Sequence, residues 1–152
     1  MTSFPPMLNG GLKRINNTSS PEETEALGRE LAQLLPSSAT VCLYGDLGAG
    51  KTTLIKGIAS QLSGVSPHEI NSPTFTYLNI YEGKRTVYHF DCYRLESVEG
   101  FLGRGFDEYL EGLCLIEWPE RIEPLLPKPC VTITLRYDGA EKRVIEYEES
   151  SL

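Results

Sequence analysis

Gly45-Asp46-Leu47-Gly48-Ala49-Gly50-Lys51-Thr52 is the stretch on which the fold turns. It spaces Gly, four residues, Gly, Lys and Thr, the pattern of a loop that cradles phosphate between a strand and a helix. The flanks agree with that reading. Ala39-Thr40-Val41-Cys42-Leu43-Tyr44 reads as a short buried strand, and beyond the loop Leu54, Ile55, Ile58, Ala59 and Leu62 fall at helical spacing. Glycines let successive backbone N–H groups turn inward toward phosphate oxygens, and the positive end of the following helix adds to the attraction. Lys51 is then expected to neutralise the β and γ phosphates, and the Thr52 hydroxyl to be the first protein ligand of Mg²⁺. The ligand this predicts is a nucleoside triphosphate.

The 152 residues suffice for one domain with a sizeable core. Fourteen basic residues against 21 acidic ones give a formal charge of −7, which repels both a phosphate backbone and an anionic membrane. Any nucleic acid that the chain serves is therefore expected to be held by a partner. No apolar run approaches a membrane span, and Met1 to Gly11 lacks the basic start and apolar centre of a signal peptide, so the expected compartment is the cytoplasm. Cys42, Cys92, Cys114 and Cys130 are widely spaced and read as small buried hydrophobes, while two histidines offer no zinc-ligand spacing.

Residues 1–11 read as a flexible leader and 12–152 as the domain. Leu12 to Asn16 suggests an edge strand. Ser20-Pro21-Glu22-Glu23 is a capping box, so a helix is expected from Pro21 to about Leu35, with Leu27, Leu31, Leu34 and Leu35 as its buried stripe. Asn71 to Phe75 is a turn into a strand over Thr76 to Tyr81, and a hairpin turn at Glu82 to Arg85 returns the chain as Thr86 to Phe90. Ser97 to Glu111 is weakly helical and broken by glycines. Leu113-Cys114-Leu115-Ile116 reads as a strand covered on both faces. Four prolines between 119 and 129 then break the chain into turns, before a last hairpin of Val131 to Arg136 and Arg143 to Tyr147 around Asp138-Gly139.

Turnover, as opposed to binding, needs an acid for the metal and a group that orients the attacking water. Asp91 and Glu117 each close an apolar strand, and in open α/β sheets the ligand lies beyond the carboxyl ends of strands. Glu117 follows the more buried strand and is assigned to Mg²⁺; Asp91 is assigned to the water, and the two roles are exchangeable. Thr74 follows Pro73 in a loop able to fold over phosphates, with a locally bonded turn hydroxyl as the alternative. His89 and Tyr93 flank Asp91, with strand packing as their alternative role. Arg94 offers a charge to phosphate or a surface ion pair, and Trp118 shapes the nucleotide pocket or packs in the core.

Gly45 to Thr53, Ser72-Pro73-Thr74-Phe75, His89-Phe90-Asp91-Cys92-Tyr93-Arg94 and Glu117-Trp118 resemble, in order and spacing, the TsaE (YjeE) ATPases of bacteria. The likeness covers about Leu12 to Glu148, and the step Gly105-Phe106-Asp107-Glu108 fits it too. It implies an α/β fold: a single P-loop domain with a mixed, mainly parallel central sheet flanked by helices and a C-terminal β-hairpin. It also implies a part in tRNA modification. Such proteins assist TsaD and TsaB, which place a threonylcarbamoyl group on the adenosine beside the anticodon, and their ATP hydrolysis is weak without partners and resets that complex. On this resemblance ATP and Mg²⁺ are the ligands, and tRNA is met only indirectly. Gly45, Asp46, Leu47, Gly48, Ala49, Gly50, Lys51, Thr52 and Thr53 would hold nucleotide, with Thr74 and Trp118 beside it. Thr52 and Glu117 would hold metal, and Lys51 and Asp91 would act in catalysis. A basic residue of the last hairpin, taken as Lys142, would also contact nucleotide.

Two other readings compete. A small-molecule kinase shares the loop, although an arginine-rich lid is not legible. A regulatory binding module, switched by nucleotide with hydrolysis incidental, is the second. A GTPase fits less well, since the Asn/Thr-Lys-x-Asp guanine-reading motif is missing from the sequence.

Overall fold

The computed structural model describes residues 12–46 and 48–149. Residues 1–11, read above as a leader, lie outside them, as does Leu47 of the loop. The strands are β1 (Lys13–Thr18), β2 (Thr40–Tyr44), β3 (Leu78–Tyr81), β4 (Val87–Asp91), β5 (Leu113–Glu117), β6 (Val131–Tyr137) and β7 (Arg143–Glu149). The helices are α1 (Pro21–Ala32), α2 (Lys51–Ser63) and α3 (Val98–Gly103), with short 3-10 turns at Pro67–Glu69, Phe106–Tyr109 and Pro119–Leu125.

The described strands form one mixed sheet in the order β1-β7-β6-β2-β5-β4-β3. Its centre is parallel, because β2 runs with both β5 and β6, and β4 with β5. Antiparallel pairs extend it on both sides: β3 on β4, and β7 then β1 beyond β6. Thus β1 is an edge strand, as its sequence suggests, and the C-terminal hairpin is built into the sheet.

Strand alternation divides the core. Leu113 and Leu115 of β5 join the apolar cluster under α1 and α2, while Cys114 and Ile116 join Phe90, Phe101 and Ile122 on the other face. This is the two-sided burial expected of a continuous apolar run. The same period of two sends Glu117 to the α1–α2 face. On β4, Val87 lies on that face too, so His89 and Asp91 follow it. Three polar side chains are thereby aimed at one side of the sheet, near the start of α2.

Helix α1 begins at the cap predicted for it. Ser20 Oγ accepts from the Glu23 N–H at 3.1 Å, whereas the Glu23 carboxylate reaches back to the N–H of Ser19, at 2.9 Å, instead of that of Ser20. The helix stops at Ala32, three residues before the expected Leu35, and Leu34 and Leu35 close turns to Leu31 and Ala32. Helices α1 and α2 touch backbone to backbone through Gly28 and Gly57. A Cβ on Gly57 would stand 2.0 Å from the Glu25 carbonyl oxygen, and one on Gly28 2.4 Å from that of Leu54. This close approach locks α2 against α1 above their shared apolar cluster, which fixes where its first turn points. Cys42, Cys92 and Cys114 are buried as expected, and burial pushes the Cys92 and Cys114 thiols up to about 12, leaving them inert at neutral pH.

Candidate functional site

The loop between β2 and α2 turns through left-handed backbone at Gly48 (φ 79°) and Gly50 (φ 99°). At Gly48 the positive φ favours glycine, and the Tyr137 hydroxyl, 2.8 Å from where a Cβ would stand, would have to move aside for any other residue. Gly50 caps α2 without a side-chain bond, leaving the first-turn N–H groups directed out of the helix end. Lys51 is 5% exposed, and its Nζ donates to the Gly45 carbonyl at 2.6 Å while lying 4.1 Å from the centre of the Trp118 ring. Burial lowers its pKa from 10.5, and Glu117 and Asp91 oppose that shift. The ammonium is thus held in place by the loop it serves, over an aromatic face that attracts cations.

Asp91 and Glu117 face this lysine from the ends of β4 and β5, where they are register partners. Both are nearly buried, at 5% and 4% exposure. Asp91 Oδ1 accepts from the Tyr93 N–H at 3.0 Å, and Oδ2 from the Ser72 hydroxyl at 3.0 Å. The same hydroxyl lies 3.2 Å from Glu117 Oε2, which His89 Nε2 also approaches to 2.7 Å. Directly after Glu117, Trp118 takes a left-handed conformation (φ 57°), a turn that lays its indole over Lys51 and 5.0 Å from the Tyr93 ring.

These groups enclose a cleft of about 420 Å³ lined by Gly48, Gly50, Lys51, Thr52, Thr53, Ser72, Thr74, Asp91, Tyr93, Glu117 and Trp118. Of the expected site residues, the structure brings Lys51, Thr52, Thr53, Thr74, Asp91, Glu117 and Trp118 to one wall or another of it. Gly45 and Ala49 sit behind the loop, the former as acceptor for Lys51 and the latter buried. Asp46 is exposed, and its carbonyl closes the turn to the Ala49 N–H at 3.0 Å. Lys142 is exposed on the hairpin, and its neighbour Arg143 makes the contact with the loop: Nε donates to the Ala49 carbonyl at 3.0 Å, and the guanidinium lies 4.5 Å from the Tyr137 ring. Arg143 also lines a niche of about 240 Å³ with Pro21, Thr24, Gly50, Thr53, Ala140 and Glu141. Arg94 lies over the exposed Phe75 ring at 4.9 Å, outside the cleft.

A larger cavity, about 710 Å³, opens at the opposite end of the sheet among Leu34, Leu35, Pro36, Pro127 and Pro129. It contains none of the paired acids or loop N–H groups, and in parallel sheets the carboxyl ends of the strands are where ligands sit. The smaller cleft is therefore the candidate site.

A family model described as "Threonylcarbamoyl adenosine biosynthesis protein TsaE" matches residues 18–145. The chain belongs to the TsaE family. Among its TsaE relatives, "tRNA threonylcarbamoyladenosine biosynthesis protein TsaE" of Treponema pallidum is 46% identical over 119 residues, 77% of this chain and 87% of the relative. The TsaE protein of Bacillus subtilis is 41% identical over 133 residues, covering 86% and 82%. The crystal structure of Bacillus YdiB superposes with a TM-score of 0.73 at 34% identity, over 92% of this chain and 87% of that one. TsaE membership puts the chain among proteins of threonylcarbamoyl adenosine biosynthesis, with the α/β fold anticipated from the loop. Among the described residues, no helix of this TsaE chain is long and apolar enough to cross a membrane.

Two residues at or beside the TsaE cleft are given no role of their own by the sequence reading. Ser72 lines the cleft but is quoted only within Ser72-Pro73-Thr74-Phe75, and Arg143, next to the expected Lys142, lines the neighbouring niche and bonds the loop from the hairpin. Alternation along β7 carries the signal for the latter, since Arg143 pairs with Tyr137 across the hairpin beside the loop, whereas Lys142 lies in the turn.

Proposed function

We propose that this chain is a Mg²⁺-dependent ATPase subunit of the machinery that threonylcarbamoylates the tRNA adenosine adjacent to the anticodon, with hydrolysis resetting a complex of TsaD and TsaB in the cytoplasm. The observation that carries the reading is the placement of Asp91 and Glu117, in register at the ends of adjacent parallel strands, across one cleft from Lys51 and Thr52.

The donor set fits a nucleotide with its metal. Backbone N–H groups, the Lys51 ammonium and the start of α2 suit phosphate oxygens, while the Thr52 hydroxyl and the two carboxylates are the oxygen ligands a hard cation takes. Among the described residues no group of three or more His, Cys, Asp or Glu could hold a metal unaided, and Mg²⁺ beside nucleotides typically takes only one or two carboxylates plus phosphates. Thr52 and Glu117 would hold the ion, which when bound would neutralise charge on the β and γ phosphate oxygens.

The protein's own groups have distinct parts. Lys51 gives up the Gly45 carbonyl to pair with phosphate, a stronger, charge-assisted partner. Asp91, oriented by the Tyr93 N–H and the Ser72 hydroxyl, accepts a hydrogen bond from water and aims its lone pair at the γ phosphorus. Ser72 supplies a single O–H to two acceptors, so movement of the 71–75 loop changes which carboxylate it serves. Such a loop can respond to γ phosphate as a switch does, with Thr74 at the cleft wall. The formal charge of −7 suits a subunit that meets tRNA only through its partners.

ATP hydrolysis measured alone and with TsaD and TsaB, with Lys51→Ala as control, tests the reading. Stimulation by the pair, lost in the variant, supports it. Steady turnover without stimulation, or phosphate transfer to small acceptors, favours an independent kinase. Repeated modification cycles sustained by an Asp91→Ala protein that binds ATP without hydrolysing it would make the chain a nucleotide-controlled binding module.

A further inference from the structure

Glu117 is held from behind. A carboxylate only accepts hydrogen bonds, so His89 Nε2, 2.7 Å from Glu117 Oε2, is the donor in that contact. The other ring nitrogen, Nδ1, lies 3.1 Å from the Tyr81 hydroxyl. That hydroxyl also lies 3.0 Å from the Asn71 carbonyl, an oxygen that receives Asn79 Nδ2 at 2.9 Å, so its one proton is shared between Nδ1 of the neutral ring and that carbonyl. Asn71 immediately precedes Ser72, whose hydroxyl returns to Glu117. The contacts close a ring: Glu117, His89, Tyr81, the Asn71 backbone, Ser72 and Glu117 again.

His89 is 0% exposed, and cleft and solvent are both closed to it. A leucine would fill the same strand interior without needing polar partners for two nitrogens. What an imidazole adds is a rigid link with one hydrogen-bonding atom at each end. We propose that His89, backed by Tyr81, is a positioning residue that fixes the Glu117 carboxylate and couples it to the 71–75 loop, so that acid and loop are set together. The proposal rests on the reading of Glu117 as the metal-holding acid. Carboxylates that hold metals are themselves oriented by hydrogen bonds, and removing such a partner typically costs about 10–100-fold in metal affinity or activity.

Three variants and two readouts test it. The readouts are Mn²⁺ affinity of the protein–ATP complex, by electron paramagnetic resonance, and amide hydrogen exchange at Ser72, Thr74 and Phe75 in the nucleotide-free protein. His89→Phe keeps the bulk and removes both bonds. It should weaken Mn²⁺ binding about 10–100-fold while metal-free ATP affinity stays unchanged. His89→Gln, whose amide nitrogen can replace Nε2, should recover most of the loss, which a purely space-filling role would not predict. Tyr81→Phe should speed exchange in the loop by about tenfold, the effect of losing one hydrogen bond. Native Mn²⁺ affinity in a folded His89→Phe protein, or unchanged exchange in Tyr81→Phe, overturns the proposal. If His89→Phe does not fold, the exchange result alone decides. Glu117→Gln separates the underlying reading: unchanged Mn²⁺ affinity there refutes the metal role of Glu117, and coupling is then judged by exchange in Tyr81→Phe.

Discussion

Asp91 and Glu117 stand side by side in register on neighbouring parallel strands, and the Ser72 hydroxyl lies within 3.2 Å of an oxygen of each. Among the described residues, the hydrogen bonds of the two carboxylates go to Ser72, Tyr93 and His89 and not to the loop that would carry phosphate. Binding and turnover should therefore separate. Asp91→Ala is expected to bind ATP normally but lose about 10²–10⁴-fold in partner-stimulated hydrolysis, the usual contribution of a positioned acid–base group. Hydrolysis at the parent rate would remove Asp91 from the chemistry.

The charge on Lys51 depends on its neighbours. Burial lowers its pKa, and Glu117 is the foremost of the charges that hold it up. In Glu117→Gln that support is gone, so the pKa falls further. Loss of the ammonium weakens phosphate binding as pH rises, and the weakening should begin at a lower pH in the variant than in the parent. At neutral pH the variant should bind metal-free ATP at least as tightly, because an anion facing the phosphates has been removed. Metal-free ATP affinity followed from neutral pH upward checks both signs; identical profiles would show that Glu117 does not act on Lys51.

Trp118 is the only tryptophan in the chain, and Lys51 Nζ lies 4.1 Å from its ring centre. Phosphate that draws the ammonium off the indole changes the field on the ring. Intrinsic fluorescence should therefore shift on titration with ADP or ATP, and the shift should be lost in Lys51→Ala. A silent tryptophan during binding demonstrated by calorimetry would mean that Lys51 stays on the ring.

Gly57 is a test of packing in isolation from chemistry. Alanine in a helix interior ordinarily gains about 1 kcal/mol over glycine. Here the added Cβ would stand 2.0 Å from the Glu25 carbonyl oxygen, and backbone cannot step aside as a flexible side chain does. Forced overpacking costs about 1–3 kcal/mol or more and outweighs the gain. Gly57→Ala should lower the melting temperature by roughly 2–8 °C. A variant at least as stable as the parent would mean that α1 and α2 separate without penalty.

The central architecture was legible because its signals are local. Glycine spacing, the apolar run of β2 and the helical period of α2 fall within some 25 consecutive residues, about the span over which periodicity is readable. The acids Asp91 and Glu117 were found by the rule that places ligands beyond strand ends. What escaped was long-range. The partners of His89 lie 8 and 28 positions away, and the contact of Arg143 with Ala49 spans 94. The expected strand from Thr76 starts at Leu78 because Tyr77 turns left-handed (φ 68°), with its N–H bonded to the Pro73 carbonyl, so the chain kinks where alternation suggested extension. The prolines after Glu117 break the chain into turns as expected: Pro119 opens a 3-10 turn, where proline suits the first position, and Pro124 follows the kink at Ile122 (φ −129°).

The hairpin that completes the sheet has a consequence for biosynthesis. Strand β2 is flanked by β5 on one side and β6 on the other, and Tyr137 and Arg143 reach the Gly48–Gly50 turn only once β6 and β7 are in place. A nascent chain halted before Val131 would carry β2, with its apolar Val41, Cys42 and Leu43, as a raw sheet edge. Such edges recruit other chains. The order of translation thus withholds the contacts of Tyr137 and Arg143 with the Gly48–Gly50 turn until β6 and β7 have been made, and a chain cut between β5 and β6 would present an aggregation-prone edge before that turn had its support.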